Sequence, residues 1–249
     1  MAERGRVRVE PSDKWVRVFL GGVKVADSRR PLLVWEKPYF PTYYFPLGDV
    51  RADLLVETGE VRRSPSRGEA TVYTVKAGGA EAVAAAYRYP DSPLVEIRDH
   101  VAFVWRKMDH WFEEDEEVYV HPRDPYTRID VLASSRHVRV VVDGVTVAES
   151  HRPTLLFETG LPVRYYLPKT DVRLDLLRPS DTRTECPYKG VASYWSVVVD
   201  GTVHEDIVWS YPFPLPESAA VAGLVCFYNE KVDIYVDGEL QERPRTVFS

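Results

Sequence analysis

VRVFLGGVKVADSRRPLLVWE (16–36) and VRVVVDGVTVAESHRPTLLFE (138–158) are two versions of one segment, and their likeness decides how the whole chain is read. Extended to 16–55 against 138–177 at a constant offset of 122, the comparison gives 21 identities in 40 positions without a gap. Outside that block Val7 and Val9 match Ile129 and Val131, and Pro122 and Arg123 match Pro244 and Arg245. Nothing is left over for a third domain. The reading is a tandem duplication with domains at 1–124 and 125–249. They join within HPRDPYTR (121–128), where two prolines and mixed charges suit a short connector. Positions where the copies agree report on the fold. Positions where they differ in chemistry are where a site could have been kept in one copy alone.

Each copy reads as β-structure. Two partly alternating apolar runs flank Asp143-Gly144, a dipeptide that suits a two-residue type I′ hairpin because both turn residues need positive φ. The pattern returns around Asp200-Gly201 and again around Asp237-Gly238. The first copy has Gly21-Gly22 and Gly78-Gly79 at the first two places, and glycine also permits positive φ. One short helix per copy is expected, starting at Ser92-Pro93 before LVEIRDHVAF and at Leu215-Pro216 before ESAAVAGL. The acidic run Glu113 to Glu117 falls where the second copy has its last hairpin and reads as a solvated turn. It lacks the alternating ligands and central glycine of a calcium loop.

Composition narrows the function classes. Hydrophobic residues make up 45% and charged residues 28%, as in an ordinary globular protein, and each copy is long enough to bury a core without a disulfide or metal. A net charge of −6 argues against general binding to nucleic acid or to an anionic membrane. No apolar stretch approaches the roughly 20 residues of a membrane span, and MAERGRVRVEPSDKW shows no signal-peptide core, so the expected location is cytoplasmic. Two cysteines, Cys186 and Cys226, are too few for a disulfide framework or a four-cysteine zinc site.

The loop RPSDTRTECPYKGVASYWSV (178–197) is the most informative stretch for chemistry. It gathers Arg183, Cys186, Lys189 and a Gly190 hinge just before Tyr194 and Trp195. The first copy reads VETGEVRRSPSRGEATVYTV there. Pro65, Gly68 and Ala70 match Pro187, Gly190 and Ala192, which points to a shared backbone path. The chemistry differs: Ser64 stands for Cys186, Arg67 for Lys189, Val61 for Arg183 and Tyr73 for Trp195.

DVRLDLL (171–177), TECPYKGVASYW (184–195) and WSYPFPLP (209–216) together resemble the signature of the bacterial and fungal "domain of unknown function 427" family. The resemblance covers both halves. The second half fits every piece, whereas the first keeps DVRADLL but has SPSRGEATVY and YRYPDSPL. It implies an all-β fold of two tandem β-tent-like antiparallel sheet domains. That fold is shared with methionine-R-sulfoxide reductases and glutathione-dependent formaldehyde-activating enzymes. Those relatives often hold zinc on paired CxxC motifs; this chain has none, so no structural zinc and no cofactor are expected. A nucleotidyltransferase label is sometimes attached to the family, and no motif here supports it.

Three readings of function follow. In the first, the second copy binds a small anionic or planar metabolite. Arg183, Lys189 and Arg173 would supply cations, Gly190 the turn, and Tyr194, Trp195, Trp209 and Tyr211 an aromatic wall. Arg173 and Arg51 of the repeated DVRxDLL motif also read as partners of neighbouring aspartates. In the second, Cys186 is a nucleophile activated by Arg183 and Lys189; no histidine lies near it in sequence, and His204, in the next strand, is a candidate base. In the third, the aromatics are core and the protein is structural or an interaction protein, its pair of domains forming one face for a partner chain and binding no ligand. Cys226 reads as a small buried hydrophobe. The six histidines show no metal-ligand spacing, although His137 and His151 could meet across the first hairpin of copy two. No metal is expected.

Overall fold

The computed structural model describes residues 7–246, 248 and 249. The chain divides into two compact units, Met1–Asp124 and Pro125–Ser249. Each contains a seven-stranded and a four-stranded sheet, and every strand pair is antiparallel. In the second unit the large sheet runs in the order Ile129–Ala133, Thr154–Glu158, Arg164–Leu167, Val225–Phe227, Thr202–Ser210, Gly190–Val199, Leu177–Cys186. The small sheet runs Val145–Ser150, Val138–Val142, Asp233–Val236, Glu239–Leu240. The first unit has the same seven-strand order, and the all-β tandem architecture expected from the repeat is what the chain adopts.

The hairpin signals are realised. Asp143 and Gly144 have φ of 47° and 79°, Asp200 and Gly201 of 47° and 81°, Asp237 and Gly238 of 53° and 88°. The Gly-Gly turns of the first copy have positive φ as well, and there the second reason for glycine is spatial. The tips of the first two hairpins press together, so that a Cβ on Gly21 or on Gly78 would collide with the other turn's backbone. In the second copy Asp143 instead meets His204 of the neighbouring hairpin at 2.7 Å.

Two expectations need correction. Neither copy forms an α-helix at the proposed place. The first has a three-residue 3₁₀ turn, Val95–Ile97, and the second a six-residue 3₁₀ helix, Pro216–Val221. Both runs are shorter than the dozen or so residues a helix needs to stand without tertiary help. The backbone is also committed at both ends, with the Leu215 amide on the Lys189 carbonyl and the Leu224 amide on that of Val221, just before the next strand. The acidic run is not wholly solvated either. Glu113 is buried, accepting a hydrogen bond from Tyr43 at 2.8 Å and an ion pair from Lys14.

The large sheet of each copy buries both faces. One face packs against the small sheet; in the second copy Val138, Val140, Leu167, Val208 and Phe227 meet there. The opposite face carries a separate aromatic cluster, with Tyr166, Tyr194, Trp209, Tyr211 and Cys226, over which Val221 of the 3₁₀ helix packs. The first copy repeats it with Tyr44, Tyr87, Tyr89 and Ile97. This second cluster positions the candidate site.

Candidate functional site

Pairing in the long hairpin settles which proposed residues can meet. Thr184 lies opposite Ala192 and Arg183 opposite Ser193. Cross-strand partners share a face and successive residues alternate, so Thr184, Ala192 and Tyr194 face one way and Arg183, Ser193 and Trp195 the other. Thr184 and Tyr194 confirm it with a hydroxyl–hydroxyl contact of 2.8 Å. Trp195 packs on the core between the sheets, with the Lys169 ammonium 5.3 Å from its ring centre. Arg183 is exposed, and its guanidinium is folded onto its own strand's carbonyls, Ser180 at 2.9 Å and Thr182 at 2.7 Å. Arg173 is also exposed, held by Asp175 at 2.6 and 2.9 Å, as Arg51 is by Asp53 in the first copy. The sheet therefore separates Arg183, Trp195 and Arg173 from Lys189, Tyr194, Trp209 and Tyr211.

The hairpin tip is built by Cys-Pro-Tyr-Lys-Gly. The Lys189 amide bonds back to the Cys186 carbonyl, and Gly190, at φ 95°, closes the turn. Gly190 is a fixed turn rather than a hinge, because a Cβ there would stand 3.1 Å from the Phe213 carbonyl oxygen. Lys189 is buried and its ammonium forms an ion pair with Glu158, whose side chain is 10% exposed. In the strand order Glu158 and the Lys189 hairpin lie four spacings apart, roughly 20 Å in a flat sheet. Their contact shows that the sheet curls over its aromatic face. The first copy does the same with Arg67 and Glu36, 3.6 Å apart.

The copies differ in how that carboxylate is satisfied. Glu36 accepts hydrogen bonds from the hydroxyls of Tyr44 and, at 3.0 Å, Tyr87, while Arg67 stands 5.3 Å from the ring centre of Tyr89. In the second copy Trp209 replaces Tyr87 and donates its indole N–H to the Tyr166 oxygen at 3.1 Å. Among the described residues, neither the Tyr166 nor the Tyr211 hydroxyl donates to a protein acceptor. Burial pushes both phenols well above their usual range, so each keeps its proton at neutral pH. They can give hydrogen bonds and cannot act as bases.

Beside this cluster lies a pair that the sequence reading missed. Arg164 makes a two-pronged ion pair with Glu230 at 2.7 and 2.8 Å, their side chains 7% and 0% exposed. Thr246 also donates to Glu230, at 2.7 Å. The guanidinium carbon lies 5.5 Å from the Trp209 ring and 5.8 Å from those of Tyr228 and Phe248. Burial raises the Glu230 pKa, but the hydrogen bonds of Arg164 and Thr246 outweigh it and hold the carboxyl below its usual range. A signal was available: the first copy has Thr42 where Arg164 stands, and Glu158 recurs as Glu36.

The two cysteines are differently placed. Cys226 is fully buried, and burial pushes its thiol up to about 12. Cys186 is half-buried at the hairpin tip. His204 pairs in register with Val197, seven residues along the strand from the Gly190 opposite Cys186, or roughly 20 Å. It is bonded to Asp143 and is not placed to take a proton from Cys186.

Strand order and the paired clusters define a duplicated all-β domain whose sheet folds over an aromatic, ion-paired face. The chain belongs to the family described as Domain of unknown function (DUF427), with the profile name NTP_transf_9, which matches residues 8–114 and 130–238, once in each repeat. A comparison with curated proteins gave no match. A family name of this kind carries no activity; that has to come from the site.

Proposed function

We propose that the chain is a small-molecule-binding module whose site lies on the aromatic face of the second repeat, beside Lys189, Tyr166 and Tyr211. The ligand is an anionic or planar metabolite, and the net charge of −6 argues against nucleic acid or an anionic membrane surface as the partner. One observation carries the reading. The first copy saturates its carboxylate with tyrosine hydroxyls, whereas in the second two protonated tyrosines, beside a lysine and a half-buried cysteine, donate to no acceptor among the described residues. A tyrosine hydroxyl whose proton is not given to a protein acceptor can give it to an acceptor on a ligand.

The test is a thermal-shift screen of the intact protein against nucleotides, organic acids and thiol metabolites. A ligand of the native state raises the melting temperature by mass action. The expected hit is weakened in Tyr211→Phe, lost in Lys189→Ala and kept in Cys186→Ser. A hit indifferent to Tyr211→Phe and Lys189→Ala removes the site from this face.

The half-exposure of Cys186, against the full burial of Cys226, supports one rival, a cysteine-dependent enzyme. It requires Cys186 to react with a thiol probe at neutral pH much faster than a free thiol does. Ordinary labelling rates, or turnover that survives Cys186→Ser, would end it.

A further inference from the structure

The first repeat has an open groove of about 480 Å³, lined by Trp15, Asp27, Arg29, Arg30 and Asp49. That volume suits a metabolite-sized ligand. It lies in the copy whose hairpin lacks the cysteine and lysine, and none of its residues belongs to the aromatic face described above. Its charges are unevenly used. Asp27 is committed to the Trp15 indole N–H at 2.6 Å and to Lys24. Asp49 accepts from Ser28 at 2.7 Å and holds Arg30 loosely, at 3.5 Å, with the Arg30 side chain 75% exposed. Arg29 has no carboxylate partner among the described residues, and its guanidinium lies 5.1 Å from the Trp15 ring centre.

The matching place in the second repeat is built differently. His137 and His151 stand for Trp15 and Arg29, and their rings stack on each other at 4.2 Å. Arg152, the counterpart of Arg30, is drawn onto Asp171 at 2.9 and 3.2 Å and onto Thr170 at 2.9 Å. One scaffold thus carries the same aspartate with a saturated arginine in one copy. In the other it carries two under-used guanidiniums over a groove.

We propose that the first-repeat groove is a separate binding site for a small oxyanion-bearing ligand, a carboxylate or phosphate ester. Arg29 and Arg30 take the oxyanion, and Trp15 holds the Arg29 guanidinium at the groove. A planar guanidinium with free N–H groups matches the two oxygens of such an anion, and stacking on an indole reduces the freedom lost when it binds. The second repeat lacks the Trp15 and Arg29 of this site, as the first lacks the cysteine and lysine of the other.

The test is an NMR titration of the full chain with inorganic phosphate and, separately, with benzoate, at constant ionic strength. Readouts are the Trp15 indole N–H, assigned with Trp15→Phe, and the arginine Nε–H signals. Saturable shifts of Trp15 and Arg29 are expected with at least one of the two probes. Arg29→Gln, an exposed change that leaves the fold alone, weakens binding about tenfold, the scale of one charge-assisted hydrogen bond. Tyr211→Phe and Arg152→Gln leave this titration unchanged, which keeps it distinct from the second-repeat site. Shifts that stay linear with both probes, that sodium chloride reproduces, or whose midpoint is unchanged in Arg29→Gln overturn the proposal.

Discussion

Removing Arg164 is the sharpest perturbation this structure offers. Its partner Glu230 has no exposed side-chain area, so Arg164→Met would leave a carboxylate enclosed by protein with Thr246 as its remaining strong donor. Breaking a buried pair from one side costs about 3–5 kcal/mol. The methionine preserves contact with Trp209, Tyr228 and Phe248, so packing contributes little to the loss. For a unit of this size 1 kcal/mol moves the melting point by about 4 °C, and a loss at the low end lowers it by roughly 12 °C. Scanning calorimetry of the full chain at neutral pH reads this in the second-repeat transition. Arg164→Met combined with Glu230→Gln should recover part of the loss, because no unpaired charge then remains. The pair also has a pH signature. The native carboxyl is held below its usual range, so its contribution is complete above the unfolded carboxylate pKa and fades as pH falls through the lower folded value. The gap between the parent and Glu230→Gln should therefore shrink in acid. An Arg164→Met protein that melts within about 2 °C of the parent, or a double variant as weak as both singles summed, refutes the reasoning.

Other expectations are simpler to read. Gly78→Ala, at φ 56° and against the Gly21 backbone, should destabilise the first repeat by about 2 kcal/mol or more in urea unfolding. Gly79→Asn, with open space around it, should cost far less. A thiol reagent should titrate one cysteine in the native protein and two in denaturant, because Cys226 is fully buried and Cys186 is not. Ser150→Ala should cost about 1 kcal/mol by removing the hydroxyl that donates to Asp171 at 2.7 Å, and Ser28→Ala should do likewise at Asp49. Equal losses in the two repeats would show that this latch belongs to the shared scaffold.

The duplication, the all-β class and the hairpin turns were legible because each rests on local rules: periodic apolar residues, and turn dipeptides that tolerate positive φ. The helices were misread where a short alanine run looked locally helical, while Pro216 to Val221 is fixed by hydrogen bonds to the hairpin tip and the following strand. The candidate site was legible in part. Lys189, Tyr194, Trp209 and Tyr211 do share one face, but Tyr194 and Trp195 cannot, because neighbours on a strand point to opposite sides.

What stayed hidden was long-range. Glu158 meets Lys189 only because the sheet curls, and Glu230 reaches Arg164 across 66 residues. Spacing along the chain does not encode those meetings. By itself the sequence determined that two copies of one β-domain exist and where their chemistry diverges, since both follow from residue identity and local conformation. Only the tertiary structure decided which charges are buried as pairs and which, like Arg29, have no carboxylate partner among the described residues. Burial and ion pairing depend on surfaces that folding brings together.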